Sequence, residues 1–125
     1  MNTTETKQML FDKMWRGLKG QDWQQSIDER NDLCAYRGAN GLKCAVGHCI
    51  PDDVYEPDME GKGPTQLAEM FHRVIEAMPC LADEDISFFL TIAQNYHDIQ
   101  NGDMEQRFRK LAADHGLTIP GEVSA

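Results

Sequence analysis

The chain has 125 residues, of which 41% are hydrophobic and 26% charged, and its 12 basic and 21 acidic side chains give a formal net charge of −9. This length and apolar content indicate a single folded domain, because two halves would each be too small to bury an adequate core. The negative charge opposes attraction to phosphate backbones and anionic lipid surfaces, which excludes nucleic acid and membranes as expected partners.

The expected compartment is the cytoplasm. Residues 1–20 lack the apolar core of a signal peptide, and the most hydrophobic stretch, residues 86–93, is too short to span a bilayer. A reducing compartment does not maintain structural disulfides, so the cysteines are expected to be thiols or metal ligands. They are Cys34, Cys44, Cys49 and Cys80.

The first predicted helix runs from about Thr4 to Leu18. Hydrophobic residues recur there at three- and four-residue steps, and Gly17 and Gly20 provide a stop. Residues 1–3 are expected to fray, and the polar stretch that follows Gly20 gives no assignment.

A β-hairpin is predicted over residues 33–46. A two-residue turn at Asn40 and Gly41 would mix polar and apolar side chains on both faces, whereas a three-residue loop with Gly41 in the left-handed conformation gives one apolar face. This register sets Arg37 directly across from Lys43 on the outer face, which is destabilising unless an anionic group lies nearby. The residues of the apolar face are Cys34, Tyr36, Leu42, Cys44 and Val46.

After the hairpin, residues 50–63 are typical of an acidic loop that is interrupted by prolines and glycines. Three further helices are predicted: one over residues 64–78, one that starts after Asp83 as its cap, and one that is capped by Asp103 and ends at Gly116. The predicted fold class is therefore α+β, a single domain over residues 1–125 in which the hairpin packs against about four amphipathic helices. The last residues, 118–125, are expected to fray.

A zinc site is one chemistry that the hairpin suggests. Thiolate and imidazole ligands suit zinc, and the chosen register brings Cys34 and Cys44 to one face, near His48 and Cys49. The spacing fits no common zinc motif, however, and free cysteines are often small buried residues of a core. The prediction is therefore no cofactor, with zinc as the alternative.

A nucleophilic cysteine is a second candidate chemistry. Cys44 or Cys49 would be activated by His48 or His97, with Asp98 orienting the imidazole. An inward-facing Cys44 would be inert. His97 and Asp98 are adjacent on a predicted helix and diverge by about 100°, which argues against a shared metal and favours a local role for His97 near the helix C-terminus.

The acidic loop has the wrong spacing for an EF-hand calcium site. We predict instead that at least one of its carboxylates folds back onto the Arg37 and Lys43 pair. These two cations and the loop carboxylates form the predicted binding surface. The carboxylates are those of Asp52, Asp53, Glu56, Asp58 and Glu60.

The run CAYRGANGLKCAVGH over residues 34–48, continued by IPDDVYEPDMEG over residues 50–61, resembles a group of small proteins of unknown function from bacteria and their phages. The likeness extends to AQNYHD at residues 93–98 and ADHGL at residues 113–117. It implies no catalytic residue or substrate. It implies a phage or prophage origin and, by analogy, a protein that binds and modifies a host factor.

These observations favour an acidic, non-enzymatic protein-binding domain that modulates or inhibits a bacterial host protein through its hairpin and acidic loop. It would work in the cytoplasm of a bacterial or phage-infected cell. The alternative is a small cysteine- or metal-dependent enzyme that uses Cys44, His48 and Cys49. The sequence does not determine the oligomeric state.

Overall fold

Five α-helices form the body of the protein in the computed structural model, which describes residues 2–28, 33–99 and 102–122. None of the helices in these ranges has the length and apolar character needed to cross a bilayer. Helix α4 contacts α1, α2 and α5 and so lies at the centre of the fold. The helices are α1 (Thr3–Gly20), α2 (Pro64–Met70), α3 (His72–Ala77), α4 (Glu84–Asp98) and α5 (Met104–His115).

The core is built from the apolar stripes of α1, α4 and α5. Three- and four-residue spacing puts the large side chains of each helix on one face, where they pack together out of water. The buried side chains include Leu10, Phe11, Met14, Trp15 and Leu18 on α1, Phe89, Leu90 and Ala93 on α4, and Phe108, Leu111 and Ala112 on α5.

The predicted starts of α4 and α5 and the predicted end of α5 are confirmed. The Asp83 carboxylate accepts the Asp85 N–H at 2.9 Å and caps α4. The Asp103 carboxylate accepts the Gln106 N–H at 3.3 Å and caps α5. Helix α5 ends at Gly116, whose φ of 68° lies in the left-handed region that favours glycine.

The α+β prediction is wrong, because residues 33–46 do not form a hairpin. Within the described ranges the extended pairing is a single antiparallel bridge between Ile27–Asp28 and Leu33–Cys34, and two residues a side are too few to make a sheet layer. Residues 35–46 instead form an irregular loop with a 3₁₀ turn at Ala39–Gly41. The left-handed Gly41, with φ 76°, is the feature of the predicted loop that is confirmed.

The hairpin fails because side chains bind the backbone groups that a ladder would need. The Glu60 carboxylate accepts the N–H groups of Tyr36 at 2.8 Å and Arg37 at 3.1 Å. Arg37 donates to the Tyr36 carbonyl at 3.0 Å. Gly47 also crosses so close to Tyr36 that a Cβ there would lie 2.6 Å from the same carbonyl oxygen. The segment keeps backbone bonds from the Gly38 N–H to Leu42 and from the Cys44 N–H to Ala35, but the groups of residues 36 and 37 are not free to extend them into a ladder.

The single helix predicted over residues 64–78 is also wrong, because it divides into α2 and α3. Phe71, between them, is extended, with φ −123° and ψ 99°. Its N–H still donates to Leu67 at 3.1 Å and its carbonyl accepts from Val74 at 3.0 Å, so the break leaves no unpaired backbone at this residue. Leu67 and Val74 are both fully buried, whereas Met70 at the end of α2 is 59% exposed.

Candidate functional site

Arg37 holds together the loop that replaces the hairpin. Its guanidinium donates four hydrogen bonds of 2.8–3.0 Å, three to backbone carbonyls and one to Asp52, and lies 4.8 Å from the centroid of the Tyr55 ring. The side chain is only 18% exposed. The planar fork suits several acceptors at once. The three carbonyls are those of Tyr36, Gly47 and Ile50.

Asp52 pairs with both cations that were expected to repel each other. Its carboxylate lies 2.8 Å from Arg37 and 3.2 Å from Lys43. Both contacts lower the pKa of Asp52, and the contact with Lys43 has the larger effect. The prediction that an acidic-loop carboxylate folds back onto Arg37 and Lys43 is confirmed, although the two cations do not face each other across a hairpin.

Glu60 has an internal role as well. Its carboxylate accepts the N–H groups of residues 36 and 37 and the hydroxyl of Tyr55 at 2.6 Å. Asp53, Glu56 and Asp58 are exposed and, within the described ranges, their carboxylates form no ion pair. Arg37, Lys43, Asp52 and Glu60 thus stabilise the loop itself, and the three other carboxylates of the predicted binding surface face solvent.

The four cysteines, which were predicted to be thiols or metal ligands, are free of disulfide bonds. Cys44 is fully buried, and burial together with a hydrogen bond to the Cys34 thiol raises its pKa well above the usual value. Cys49 lies elsewhere: its thiol donates to the Leu10 carbonyl at 3.7 Å, and burial raises its pKa to about 12. Both thiols are therefore protonated near neutral pH and shielded from a substrate.

His48 faces α1 rather than the cysteines. A Cβ built on Gly17 would lie 2.2 Å from its Nδ1, and its Nε2 donates to the Gln21 side chain at 3.0 Å. Burial, with the charges of Lys43 and Arg37, lowers the pKa of His48 to about 4. The proposed Cys44, His48 and Cys49 cluster is not assembled. Nor does any other group of three or more His, Cys, Asp or Glu side chains suited to a metal occur in the part of the chain that the structure describes.

His97 is fully buried, and both of its ring nitrogens are hydrogen bonded. Nε2 accepts the Ser26 N–H at 3.1 Å, which leaves Nδ1 as the nitrogen that donates, to Asp98 Oδ1 at 2.9 Å. Gln94 donates to the same oxygen at 3.0 Å. Because Nε2 is already an acceptor for backbone, His97 has no free nitrogen with which to take a proton from a substrate. It positions Asp98 instead.

Asp98 lies in a cleft of about 200 Å³ between α4, the segment around Cys34 and the turn that precedes α2. We call it the Asp98 cleft. The Asp98 side chain is 43% exposed. The side chains that line the Asp98 cleft include those of Cys34, Tyr36, Pro64, Thr91, Asn95 and Asp98.

A larger groove, of about 630 Å³, lies between α2, the 3₁₀ turn Pro79–Ala82 and α4. We call it the α2–α4 groove. Phe88 lines it and is 63% exposed, more than any other large hydrophobic side chain in the described ranges. Glu69 and Glu84 contribute carboxylates, and none of the described lining residues is basic. Its apolar side chains are Ala68, Ile75, Leu81, Ala82 and Phe88.

The groove and the cleft adjoin along one face of α4. Thr91 lines both, and the other α4 residues that line either site lie three, four or seven positions from it, the spacing of one helical face. Sequence reasoning missed this surface. The available signal was Phe88 itself, an aromatic residue that lies beside the core position Phe89 and outside the apolar stripe of its helix.

Comparison with known proteins identifies no relative: no protein-family model, curated protein or solved structure matches the chain. The resemblance to small bacterial and phage proteins stays a prediction.

Proposed function

We propose that this chain is a protein-binding domain that holds an apolar, basic-flanked segment of a partner protein in the α2–α4 groove. The observation that supports this best is Phe88, a large aromatic side chain that is 63% exposed beside an apolar groove. A contiguous apolar surface that is open to solvent is typical of an interaction site, whereas single scattered apolar residues are common on any protein surface. Covering such a ring is worth about 1–2 kcal/mol, which favours a partner that buries it.

The charge of the protein defines the chemistry of the partner. Glu69 and Glu84 lie in the groove, and the whole chain carries a net charge of −9. Complementary charge steers encounter and disfavours acidic competitors, so basic residues are expected on either side of the apolar anchor. We place the complex in the cytoplasm of a bacterial or phage-infected cell, with a bacterial host protein as the partner.

The contacts of the predicted catalytic residues favour binding over catalysis. Cys44 and Cys49 are buried, protonated thiols, and the nitrogens of His97 are occupied by Ser26 and Asp98. A cysteine nucleophile needs an accessible thiolate with an imidazole in reach. The enzyme alternative based on Cys44, His48 and Cys49 therefore has no geometric support.

The test compares wild type with Phe88→Asp and with Met9→Asp, which changes a 38% exposed residue of α1 that does not line the groove. Each tagged protein captures partners from bacterial lysate, and the retained protein is purified and titrated by calorimetry. Wild type and Met9→Asp should bind the partner with equal affinity. Phe88→Asp should bind it about tenfold or more weakly, as is typical when an aromatic hot-spot residue is replaced. Equal affinity for Phe88→Asp and wild type would contradict the proposal.

A further inference from the structure

The Asp98 carboxylate is held in a fixed orientation with one oxygen unused. His97 and Gln94 both donate to Oδ1, at 2.9 and 3.0 Å. No donor from the described residues bonds to Oδ2, and the side chain is 43% exposed in the Asp98 cleft. His97 is fully buried, so the carboxylate is oriented from inside the protein before any ligand arrives.

No cation of the cleft wall neutralises this carboxylate. The ammonium of Lys62, the basic residue of the wall, donates to the Asp58 carbonyl at 2.6 Å. The Tyr36 hydroxyl donates to the Lys62 carbonyl and stays protonated, because burial raises its pKa. Among the described residues of the wall, Asp98 therefore forms no ion pair with the lysine, whose ammonium is bonded to a carbonyl instead.

We propose that the Asp98 cleft binds the ammonium group of a lysine side chain from the partner that occupies the α2–α4 groove. This inference rests on the proposed function, because the two sites adjoin at Thr91. The methylene stem would pack against Tyr36 and Pro64 while the ammonium donates to Asp98. The volume of about 200 Å³ equals about seven waters at about 30 Å³ each, enough for the five heavy atoms of butylammonium.

The geometry of α4 also sets the spacing in the partner. Phe88 and Asp98 are ten residues apart, which at a rise of 1.5 Å is about 15 Å along the helix. An extended chain covers that distance in about five residues. The partner segment should therefore carry an apolar anchor and a lysine about five positions apart.

The first test uses n-butylammonium, which has the atoms of a lysine side chain, and 1-butanol as its neutral isostere. Each is titrated into ¹⁵N-labelled protein while amide chemical shifts are recorded. Butylammonium should give saturable shifts at Cys34, Asn95 and Asp98, and butanol should not. Equal responses to the two compounds would overturn the inference.

The matched variants are Asp98→Asn and Asp53→Asn. Asparagine keeps an acceptor oxygen for His97 and Gln94, so the fold should persist while the charge is lost. Butylammonium should bind Asp98→Asn about fivefold or more weakly, the effect expected for a half-exposed charge. Asp53→Asn changes an exposed carboxylate that does not line the cleft, and this variant should bind butylammonium as wild type does. An unchanged affinity in Asp98→Asn would refute a role for its charge.

The second test uses Cys34, a half-buried thiol in the cleft wall, as a reporter. In a Cys80→Ser background, labelling rates are measured with cationic 2-aminoethyl and anionic 2-sulfonatoethyl methanethiosulfonate; Cys44 and Cys49 are buried and should not react. The cationic reagent should be favoured in wild type, and the rate ratio should fall several-fold in Asp98→Asn. A ratio that Asp98→Asn leaves unchanged would contradict the inference.

A partner, once captured, separates the two proposals. If Phe88→Asp abolishes its binding but Asp98→Asn does not weaken it, the groove is supported and the lysine site is refuted. A peptide with leucine and lysine five positions apart should bind about tenfold more tightly than butylammonium, because linked contacts add. Equal affinities would mean that a free small amine, rather than a lysine of the partner, occupies the cleft.

Discussion

Replacing Arg37 by methionine should destabilise the protein far more than the same change at Lys43. Both side chains bind Asp52, at 2.8 and 3.2 Å, and both changes remove one positive charge. Arg37 differs because it also donates to three backbone carbonyls and is only 18% exposed. Methionine keeps most of the apolar stem, so the comparison isolates the contacts of the guanidinium, which are its hydrogen bonds and its position over the Tyr55 ring.

The magnitude follows from the number of partners lost. Each carbonyl that loses its donor costs about 1 kcal/mol net, and the exposed pair with Asp52 adds at most about 1 kcal/mol, so Arg37→Met should lower the free energy of unfolding by about 3–4 kcal/mol. Lys43→Met removes only the pair with Asp52 and should cost about 0–1 kcal/mol. With a denaturant dependence of about 2 kcal/mol per molar urea, the two unfolding midpoints should differ by about 1–2 M.

The assay is equilibrium urea unfolding of wild type, Arg37→Met and Lys43→Met, followed by tryptophan fluorescence and circular dichroism. Coincident transitions from the two probes establish that each variant unfolds in two states. If the two variants differ by less than about 1 kcal/mol, water replaces the guanidinium at the carbonyls and the argument about Arg37 fails.

Two further predictions concern His48. Gly17→Ala should lower the free energy of unfolding by about 2 kcal/mol, and with it the thermal midpoint, because the new Cβ would lie 2.2 Å from His48 Nδ1. Gly20→Ala is the control: a Cβ there has no atom within 4 Å, so alanine should raise the midpoint as it does in helices. A stabilised Gly17→Ala would contradict the close packing. The pKa of His48 is about 4 in the folded protein and 6.5 in the unfolded chain, so the unfolded chain binds the proton more readily. The free energy of unfolding should therefore be highest above pH 6.5 and fall by about 1–2 kcal/mol as the pH is lowered toward 4. His48→Gln should show a shallower fall in urea titrations across this range, and an equally steep one would rule out His48 as the cause.

Local signals were enough to predict the helices that define most of the core. The apolar stripe of α1, the caps Asp83 and Asp103, and the left-handed Gly116 each act within a few residues of the element they define. The division at Phe71 was not predictable in this way, since neither proline nor glycine marks it.

The hairpin prediction was wrong because contacts distant in sequence override a local alternation. Glu60 lies more than 20 residues from the N–H groups it accepts, and no two-residue period anticipates that bond. His97 likewise meets Ser26 across 71 positions, which hid its structural role. The sequence did predict that an acidic-loop carboxylate meets Arg37 and Lys43, although the hairpin register on which that prediction depended is wrong and both cations meet Asp52 from an irregular loop.

The bracing of the loop by Arg37 and Glu60 has a consequence for behaviour at high concentration. A hairpin at this position would have exposed an edge strand, whose free N–H and C=O groups are a template for strand addition and aggregation. Here the N–H groups of residues 36 and 37 and the carbonyls of residues 36, 47 and 50 are already bonded to side chains. The loop thus offers those groups to no incoming strand, and loss of either side chain should promote self-association as well as unfolding.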